Sequence, residues 1–80
     1  MTEAEIYQKL TEIFREIFLD DTITARPDVT AADVERWDSL THIDMMMMVE
    51  SGFGLRIPTR VITSMKNVGE LVAYLKSKKG

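Results

Sequence analysis

The chain lacks cysteine, and in a protein of only 80 residues this absence restricts how a fold can be stabilised. Disulfide bonds, zinc sites with thiolate ligands and a cysteine nucleophile are all excluded. A chain of this length buries a small core and has little room for a deep active site. We therefore expect one domain, residues 1–80, that is stabilised by packed apolar faces and is not an enzyme. Any thiol chemistry has to come from a cofactor.

The apolar residues of the first segment recur at the spacing of an α-helix. They are Ile6, Leu10, Ile13, Phe14 and Ile17. Because these positions share one stripe of a helix, the spacing predicts an amphipathic helix over about residues 3–18. Thr2 and Glu5 have the spacing of a capping box at its start.

Residues 19–38 lose this periodicity and predict a long irregular connection. A single helical turn is expected after Thr30, with Thr30 and Asp33 as its caps. A connection of this length needs a function or a packed path of its own. Trp37, Val29 and Val34 are the residues expected to anchor it to the core.

A second helix is predicted from Ser39 to near Gly52 or Gly54, since glycine often ends a helix. Its apolar residues form two stripes, and a small bundle can bury only one. The first stripe is Met45, Met46, Val49 and Phe53. The second is Leu40, Ile43 and Met47. Within the run Met45–Met48 we expect two core residues, one partner-facing residue and one at the rim.

Two more helices are predicted after residue 57. Pro58 suits the first turn of a short third helix that ends near Met65. Asn67 and Glu70 cap a fourth helix with a clear apolar repeat. The repeat consists of Val68, Leu71, Val72 and Leu75. The predicted fold class is all-α, a small four-helix bundle of three main helices and one short helix, with a long loop between the first two.

The formal net charge of −3 is divided unevenly along the chain. Residues 1–40 carry 10 acidic and 4 basic side chains, and residues 41–80 carry 3 acidic and 6 basic ones. The basic residues are spread over several segments, so a nucleic-acid partner is not expected. The longest apolar run, Met45–Val49, is too short to span a membrane. A monomeric, cytoplasmic protein without a metal site is predicted.

Ser39 follows Asp38 at a predicted helix start, where free amides and the helix dipole favour an anion. From position alone, a plain N-cap is the simpler interpretation of this serine. His42 lies three residues later and is within reach on a helix surface. A catalytic pair is nevertheless not expected, because an orienting group and an oxyanion hole have no candidates. His42 is predicted to be exposed or at the rim.

The string Trp37, Asp38, Ser39 and Leu40, followed by Phe-Gly-Leu-Arg-Ile-Pro at residues 53–58, resembles the acyl carrier protein family. The resemblance covers nearly the whole chain. It implies that Ser39 carries 4'-phosphopantetheine, whose thiol holds acyl groups as thioesters. It also implies that Asp38 is the motif carboxylate that helps to engage a phosphopantetheinyl transferase and its magnesium.

The same resemblance implies that partner enzymes contact exposed positions of the second and third helices. These positions are Leu40, Ile43, Asp44, Met47, Arg56 and Arg60. Ordinary core packing is the alternative for the three apolar ones. The implied partners are the transferase, an acyl-loading or activating enzyme and downstream biosynthetic enzymes.

Two departures from the family pattern bear on function. Arg36 stands where the family has glycine, so the local loop geometry and recognition by a modifying enzyme are open questions. The second helix contains few acids, and Thr41 stands where an acid is common. We therefore expect a carrier for a specialised pathway rather than for bulk fatty-acid synthesis.

Two other classes of function compete with the carrier interpretation. A small helical interaction module would use the second apolar stripe to dock a partner and would need Ser39 only as a helix cap. A small helical DNA-binding domain is less compatible with the charge distribution, since it lacks a basic face.

Overall fold

The computed structural model describes residues 1–79, so Gly80 of the predicted 1–80 domain lies outside it. Its elements, in chain order, are α1 (Glu3–Ile17), a short 3₁₀ turn (Ala31–Asp33), α2 (Ser39–Phe53), α3 (Thr59–Ser64) and α4 (Val68–Lys79). No strand occurs within this part of the chain. The predicted all-α fold, with three main helices, one short helix and a long loop, is confirmed. None of the helices in residues 1–79 has both the length and the apolar character needed to cross a bilayer.

The helix ends lie close to where the sequence places them. The Thr2 N–H donates to Glu5 Oε1 at 2.7 Å, and the Glu5 N–H donates to Thr2 Oγ1 at 3.2 Å, which completes the predicted capping box. Asn67 Oδ1 accepts the Glu70 N–H at 3.0 Å. The expected place of Pro58 in the first turn of α3 is wrong by one residue. Pro58 has extended backbone angles and precedes the first helical residue.

One buried cluster forms the core. α1 packs against α2 and α4, so the predicted stripe of α1 lies at the centre of the bundle. The fully buried large side chains of the core are Ile6, Leu10, Phe14, Phe18, Met45, Met46, Val49, Val68, Leu71 and Leu75. Since burying a large aliphatic or aromatic side chain contributes about 1.5–3 kcal/mol, these contacts are the main source of stability.

The long connection between α1 and α2 follows a packed path. The Ala25 N–H donates to Thr11 Oγ1 of α1 at 2.9 Å. The first amides of α4 donate to the same connection, from Val68 to the Val29 carbonyl at 2.9 Å and from Gly69 to the Pro27 carbonyl at 3.0 Å. These bonds satisfy backbone groups that helix packing alone leaves unpaired. The connection therefore covers one end of the bundle.

The predicted helical turn in this connection is present as the 3₁₀ turn. The backbone N–H of Thr30 donates to Asp33 Oδ2 at 2.9 Å, and the Thr30 hydroxyl donates to the same oxygen at 3.1 Å. Trp37 ends the connection with only 7% of its surface exposed. Its ring centroid lies 5.7 Å from that of Phe14 and 5.3 Å from that of Phe18. The expected anchoring role of Trp37 is confirmed.

Gly54 and Gly52 allow a matched test of how α2 ends. Gly54 has φ of 65°, and a side chain in this left-handed conformation costs about 1–2 kcal/mol. Gly52 is helical, and a Cβ there meets Ile13 and Lys9 at 3.5 Å, an ordinary contact distance. We expect Gly54→Ala to lower the free energy of unfolding by about 1–2 kcal/mol. Gly52→Ala should raise it by about 0.5–1 kcal/mol. Urea denaturation monitored by circular dichroism measures both, and changes of the same sign would contradict this account.

Candidate functional site

Ser39 is the first residue of α2, and its side chain is exposed. The cap of the helix is the preceding residue. Asp38 Oδ1 accepts the backbone N–H of Leu40 at 3.0 Å and that of Thr41 at 2.9 Å. Ser39 contributes no capping bond at this helix start. The interpretation of Ser39 as a plain N-cap is therefore wrong, because the neighbouring carboxylate already serves the first amides.

Thr41 completes the capping box in a way that the sequence did not predict. Its hydroxyl oxygen accepts the Asp38 N–H at 2.8 Å, and its single proton is shared between the Arg36 carbonyl at 2.8 Å and Asp38 Oδ1 at 3.1 Å. The pattern Asp-x-x-Thr was the available signal, with threonine in the position usually held by Glu or Gln. Thr41 thus fixes the loop immediately before Ser39, at a position where the family commonly has an acid.

Arg36 fits this loop without backbone strain. Within residues 1–79, positive φ angles occur at Leu19 and Gly54, and Arg36 is not among them. Glycine is favoured where φ is positive, so this position has no conformational need for glycine. The side chain of Arg36 is exposed, and its carbonyl accepts from Thr41. The question of loop geometry raised by the missing glycine is answered by these angles.

The expectation that free amides at the α2 start would hold an anion requires correction. The amides of Leu40 and Thr41 already donate to Asp38 Oδ1. An anionic group on Ser39 therefore gains from the helix dipole but not from these two amides. It would also lie next to the Asp38 carboxylate, so a cation supplied from elsewhere would be needed to offset the repulsion.

The Asp38 carboxylate is held in its ionised form. Hydrogen bonds from the Thr41 backbone N–H, and then from the Thr41 hydroxyl, lower the pKa of Asp38 below its ordinary value. The three side-chain bonds from Leu40 and Thr41 all involve Oδ1. Within the described chain, Oδ2 takes no part in the cap. Asp38 thus has one oxygen directed into the helix start and a second one available at the surface.

A groove of about 480 Å³ lies beside Ser39. The loop before α2, the first turn of α2 and the end of α3 enclose it. The residues that line it are Ala31, Trp37, Asp38, Ser39, His42, Ile62, Thr63, Met65 and Lys66. Its walls are largely apolar, with Lys66 as the basic group. Such a groove can receive an extended chain attached near Ser39.

His42 joins three elements beneath this groove. The Trp37 indole N–H donates to His42 Nδ1 at 3.0 Å, and His42 Nε2 lies 2.8 Å from the Ile62 carbonyl oxygen. Because Nδ1 accepts, the neutral ring carries its proton on Nε2 and donates it to Ile62. His42 is half-buried, which agrees with the predicted rim position, and both of its nitrogens are engaged. It therefore cannot act as a base toward Ser39.

The second stripe of α2 is exposed. Leu40, Ile43 and Met47 are 75%, 56% and 62% exposed, and we refer to these three residues as the apolar stripe. In the methionine run, Met45 and Met46 are buried and Met48 is half-buried, so the two predicted core residues and the one rim residue are confirmed. The alternative that the stripe is ordinary core is therefore wrong. Asp44, Arg56 and Arg60 are also exposed. Contact of these residues with partner enzymes stays a prediction.

Comparison with known proteins identifies related chains. A family model described as "Phosphopantetheine attachment site" matches residues 8–75. The acyl carrier protein of Lactobacillus johnsonii is 32% identical over 77 residues, which cover 96% of this chain and 96% of that protein. The meromycolate extension acyl carrier protein of Mycolicibacterium smegmatis is 28% identical over 74 residues, covering 92% of this chain and 75% of that protein.

The fold has a related solved structure. The solution NMR structure of the holo acyl carrier protein from Geobacter metallireducens superposes with a TM-score of 0.83 at 32% identity, covering 90% of this chain and 83% of that one. The four helices thus have the fold of an acyl carrier protein. The chain belongs to the phosphopantetheine-binding acyl carrier protein family. It is a carrier and not a catalyst, its cofactor is covalently attached 4'-phosphopantetheine, and it interacts with a phosphopantetheinyl transferase and with acyl-handling enzymes.

The hydrogen bonds of Asp38 predict a specific titration. Because its folded-state pKa lies below the unfolded value, the ionised cap stabilises the fold above the unfolded pKa. This contribution is lost as the pH falls through the folded pKa. Thr41→Val removes the hydroxyl donor but keeps the N–H, so the pKa of Asp38 should rise part of the way to its ordinary value. Carboxyl ¹³C NMR titration measures this change.

A control variant removes a hydroxyl that does not touch Asp38. Thr59→Val replaces an exposed threonine of α3 and should leave the pKa of Asp38 unchanged. An identical Asp38 midpoint in Thr41→Val and the original protein would contradict the assigned cause of the shift.

Proposed function

We propose that Ser39 is the attachment residue for 4'-phosphopantetheine and that the chain presents acyl or related intermediates to enzymes of a specialised biosynthetic pathway. The main support is the α2 start, where Asp38 does the capping and leaves the Ser39 hydroxyl exposed. When bound, the group supplies a terminal thiol that holds cargo as a thioester. The protein contributes tethering, which raises the effective concentration of the cargo at each partner's active site.

The residues around Ser39 fit such a group. The hydroxyl is exposed, so a phosphodiester can form on it without repacking the core. The groove offers apolar contacts from Trp37, Ile62 and Met65 to a chain that starts at Ser39. Lys66 is the basic residue of the same groove lining.

Attachment requires Ser39 Oγ to form a bond to the phosphorus of the pantetheine phosphate of coenzyme A. The bond to the nucleotide portion breaks, and adenosine 3',5'-bisphosphate leaves. The hydroxyl proton passes to a base of the transferase, because both nitrogens of His42 are engaged. Our proposal is that Asp38 Oδ2 contacts the transferase or its magnesium while Oδ1 keeps the helix capped.

The proposed partners beyond the transferase are an acyl-loading or activating enzyme and downstream biosynthetic enzymes. They would meet the apolar stripe together with Asp44, Arg56 and Arg60. Support for a specialised pathway comes from the small number of acids on α2 and from the similarity to a meromycolate extension carrier.

We further propose that residues 1–80 form one carrier domain, which is supported by the single core cluster and the family match over residues 8–75. The cytoplasmic location stays a prediction.

The alternative of an interaction module without a prosthetic group is not favoured. It gave Ser39 no role beyond that of a helix cap, and Asp38 has that role. The apolar stripe, which the module would use, is equally suited to the partner contacts of a carrier.

The attachment residue can be tested by intact mass. Incubation with coenzyme A, magnesium and a broad-specificity phosphopantetheinyl transferase should add the mass of one phosphopantetheine group to the original protein. Ser39→Ala should gain nothing, because it lacks the nucleophilic oxygen. Ser51→Ala removes another exposed serine of α2 and should be modified normally. Modification of Ser39→Ala, or none on the original protein with several transferases, would refute the proposal.

Asp38→Asn separates the capping role of Asp38 from the role of its charge. Asparagine caps helices about as well as aspartate, so the free energy of unfolding should change by less than about 0.5 kcal/mol. The rate of modification should fall by about tenfold, since a hydrogen bond to a charged group exceeds a neutral one by roughly 1.4 kcal/mol. Asp38→Ala should lose both stability and rate. An unchanged modification rate in Asp38→Asn would show that the charge has no role.

A further inference from the structure

The segment that contains Ser39 differs in charge from the chain as a whole. Residues 39–66 carry two acids, Asp44 and Glu50, and three bases, Arg56, Arg60 and Lys66, for a net charge of +1. The whole chain has a net charge of −3, so the remaining residues together carry −4. Residues 39–66, which contain α2 and α3, therefore carry a small positive charge in an otherwise acidic carrier.

Glu50 is used inside the fold. Its Oε2 accepts the Ile57 N–H at 2.7 Å, and its carbonyl accepts the Gly54 N–H at 2.9 Å. The side chain is half-buried and fixes the connection from α2 to α3. A partner that attracted Glu50 would have to break this bond. Asp44 is consequently the one exposed acid of residues 39–66.

The three bases are available to a partner. Within residues 1–79, the ion pairs join Arg26 to Asp28 and Lys76 to Glu3, and neither involves Arg56, Arg60 or Lys66. All three side chains are exposed. Their charges are therefore not neutralised by the carrier itself.

The bases follow the length of α2 because α3 runs back along it. Near the end of α2, Glu50 bonds to Ile57, and in the first turn of α2, His42 bonds to Ile62. Ser39 and Lys66 line the same groove beside that first turn. Arg56 thus lies near the end of α2, and Lys66 lies near its start, with Arg60 between them in sequence. The apolar stripe and Asp44 are exposed on α2, and together with the three bases we call them the α2–α3 face.

We infer that the α2–α3 face docks an enzyme with carboxylates opposite Arg56, Arg60 and Lys66 around an apolar patch that receives the stripe. This inference rests on the proposed function, since the docked enzyme must reach the group on Ser39. Complementary charge sets which enzyme can approach, and like charge excludes others. Three exposed cations stand against two exposed acids, Asp44 and the Asp38 carboxylate that lines the same groove as Lys66. The remaining excess of one positive charge favours an acidic docking surface over a basic one.

A reciprocal charge swap tests the inference. The probes are a fatty-acid ketosynthase whose docking face is rich in lysine and arginine, and the same enzyme with those side chains replaced by glutamate. Dissociation constants for the holo-protein are measured at low ionic strength, where charge effects are least screened. The original protein should prefer the glutamate-faced enzyme by about tenfold or more, and Arg56→Glu with Arg60→Glu should reverse that preference.

The control variant combines Arg26→Glu with Lys76→Glu. It changes the net charge by the same amount at two exposed positions outside residues 39–66, so it should keep the original preference. Circular dichroism verifies that each variant is folded. A preference of the original protein for the basic enzyme, or a reversal by the control as well, would overturn the inference.

Intact mass and sedimentation velocity distinguish failure of docking from failure of modification and from self-association. Intact mass establishes that each carrier is modified at Ser39, so absence of the group counts against the proposed function. A modified protein without the expected preference counts against the docking inference alone.

Sedimentation velocity tests whether a second copy of the chain occupies the α2–α3 face through its acidic residues 1–40. A dimer that Arg56→Glu with Arg60→Glu abolishes would overturn the inference in favour of self-association.

Discussion

The indole ring of Trp37 is buried against Phe14 and Phe18, and its N–H donates to His42, whose other nitrogen bonds to the Ile62 carbonyl. Trp37 therefore joins the end of the long connection to α1 directly, and to α2 and α3 through His42. Burial and hydrogen bonding reinforce each other here, because a buried N–H without an acceptor would be costly. The fixed position of Trp37 brings the next residue to the start of α2. The arrangement of the site depends on this contact.

At the start of α2, Asp38 caps the helix, and the neighbouring Ser39 stays exposed. Asp38 satisfies the first amides of α2, and Thr41 ties Asp38 to the preceding loop. Ser39 is thereby free of any structural task and stands exposed beside a groove. An exposed first residue of a rigid helix is accessible to several enzymes in turn, as the proposed attachment residue has to be.

α2 has to serve the core and the surface at the same time. Met45 and Met46 face the bundle, whereas the apolar stripe faces solvent. An apolar surface of this kind is a usual mark of an interaction site. The bond that Glu50 accepts from Ile57 brings the start of the α3 segment back to α2. In the proposed docking, the charges of this segment contribute to specificity for partners while α2 keeps its packing.

The amino-acid sequence by itself determined the helices and the carrier family. Helical spacing in α1 and the capping residues Thr2, Glu5 and Asn67 are local signals, and local interactions fix them within one or two turns. The Asp-Ser-Leu motif and the segment 53–58 were enough to indicate the family. The buried faces of α1 and α4 followed from the same periodicity.

The tertiary structure alone decided which residue caps α2, what His42 does and which charges remain available. Asp38, Ser39 and Thr41 are all competent capping residues, and only the path of the loop held by Trp37 selects among them. The hydrogen bonds of His42 could not be predicted because its partners, Trp37 and Ile62, belong to other elements. Glu50 likewise has its partner beyond the end of its own helix. Contacts between elements depend on how the chain folds back on itself, and no spacing within one segment specifies them.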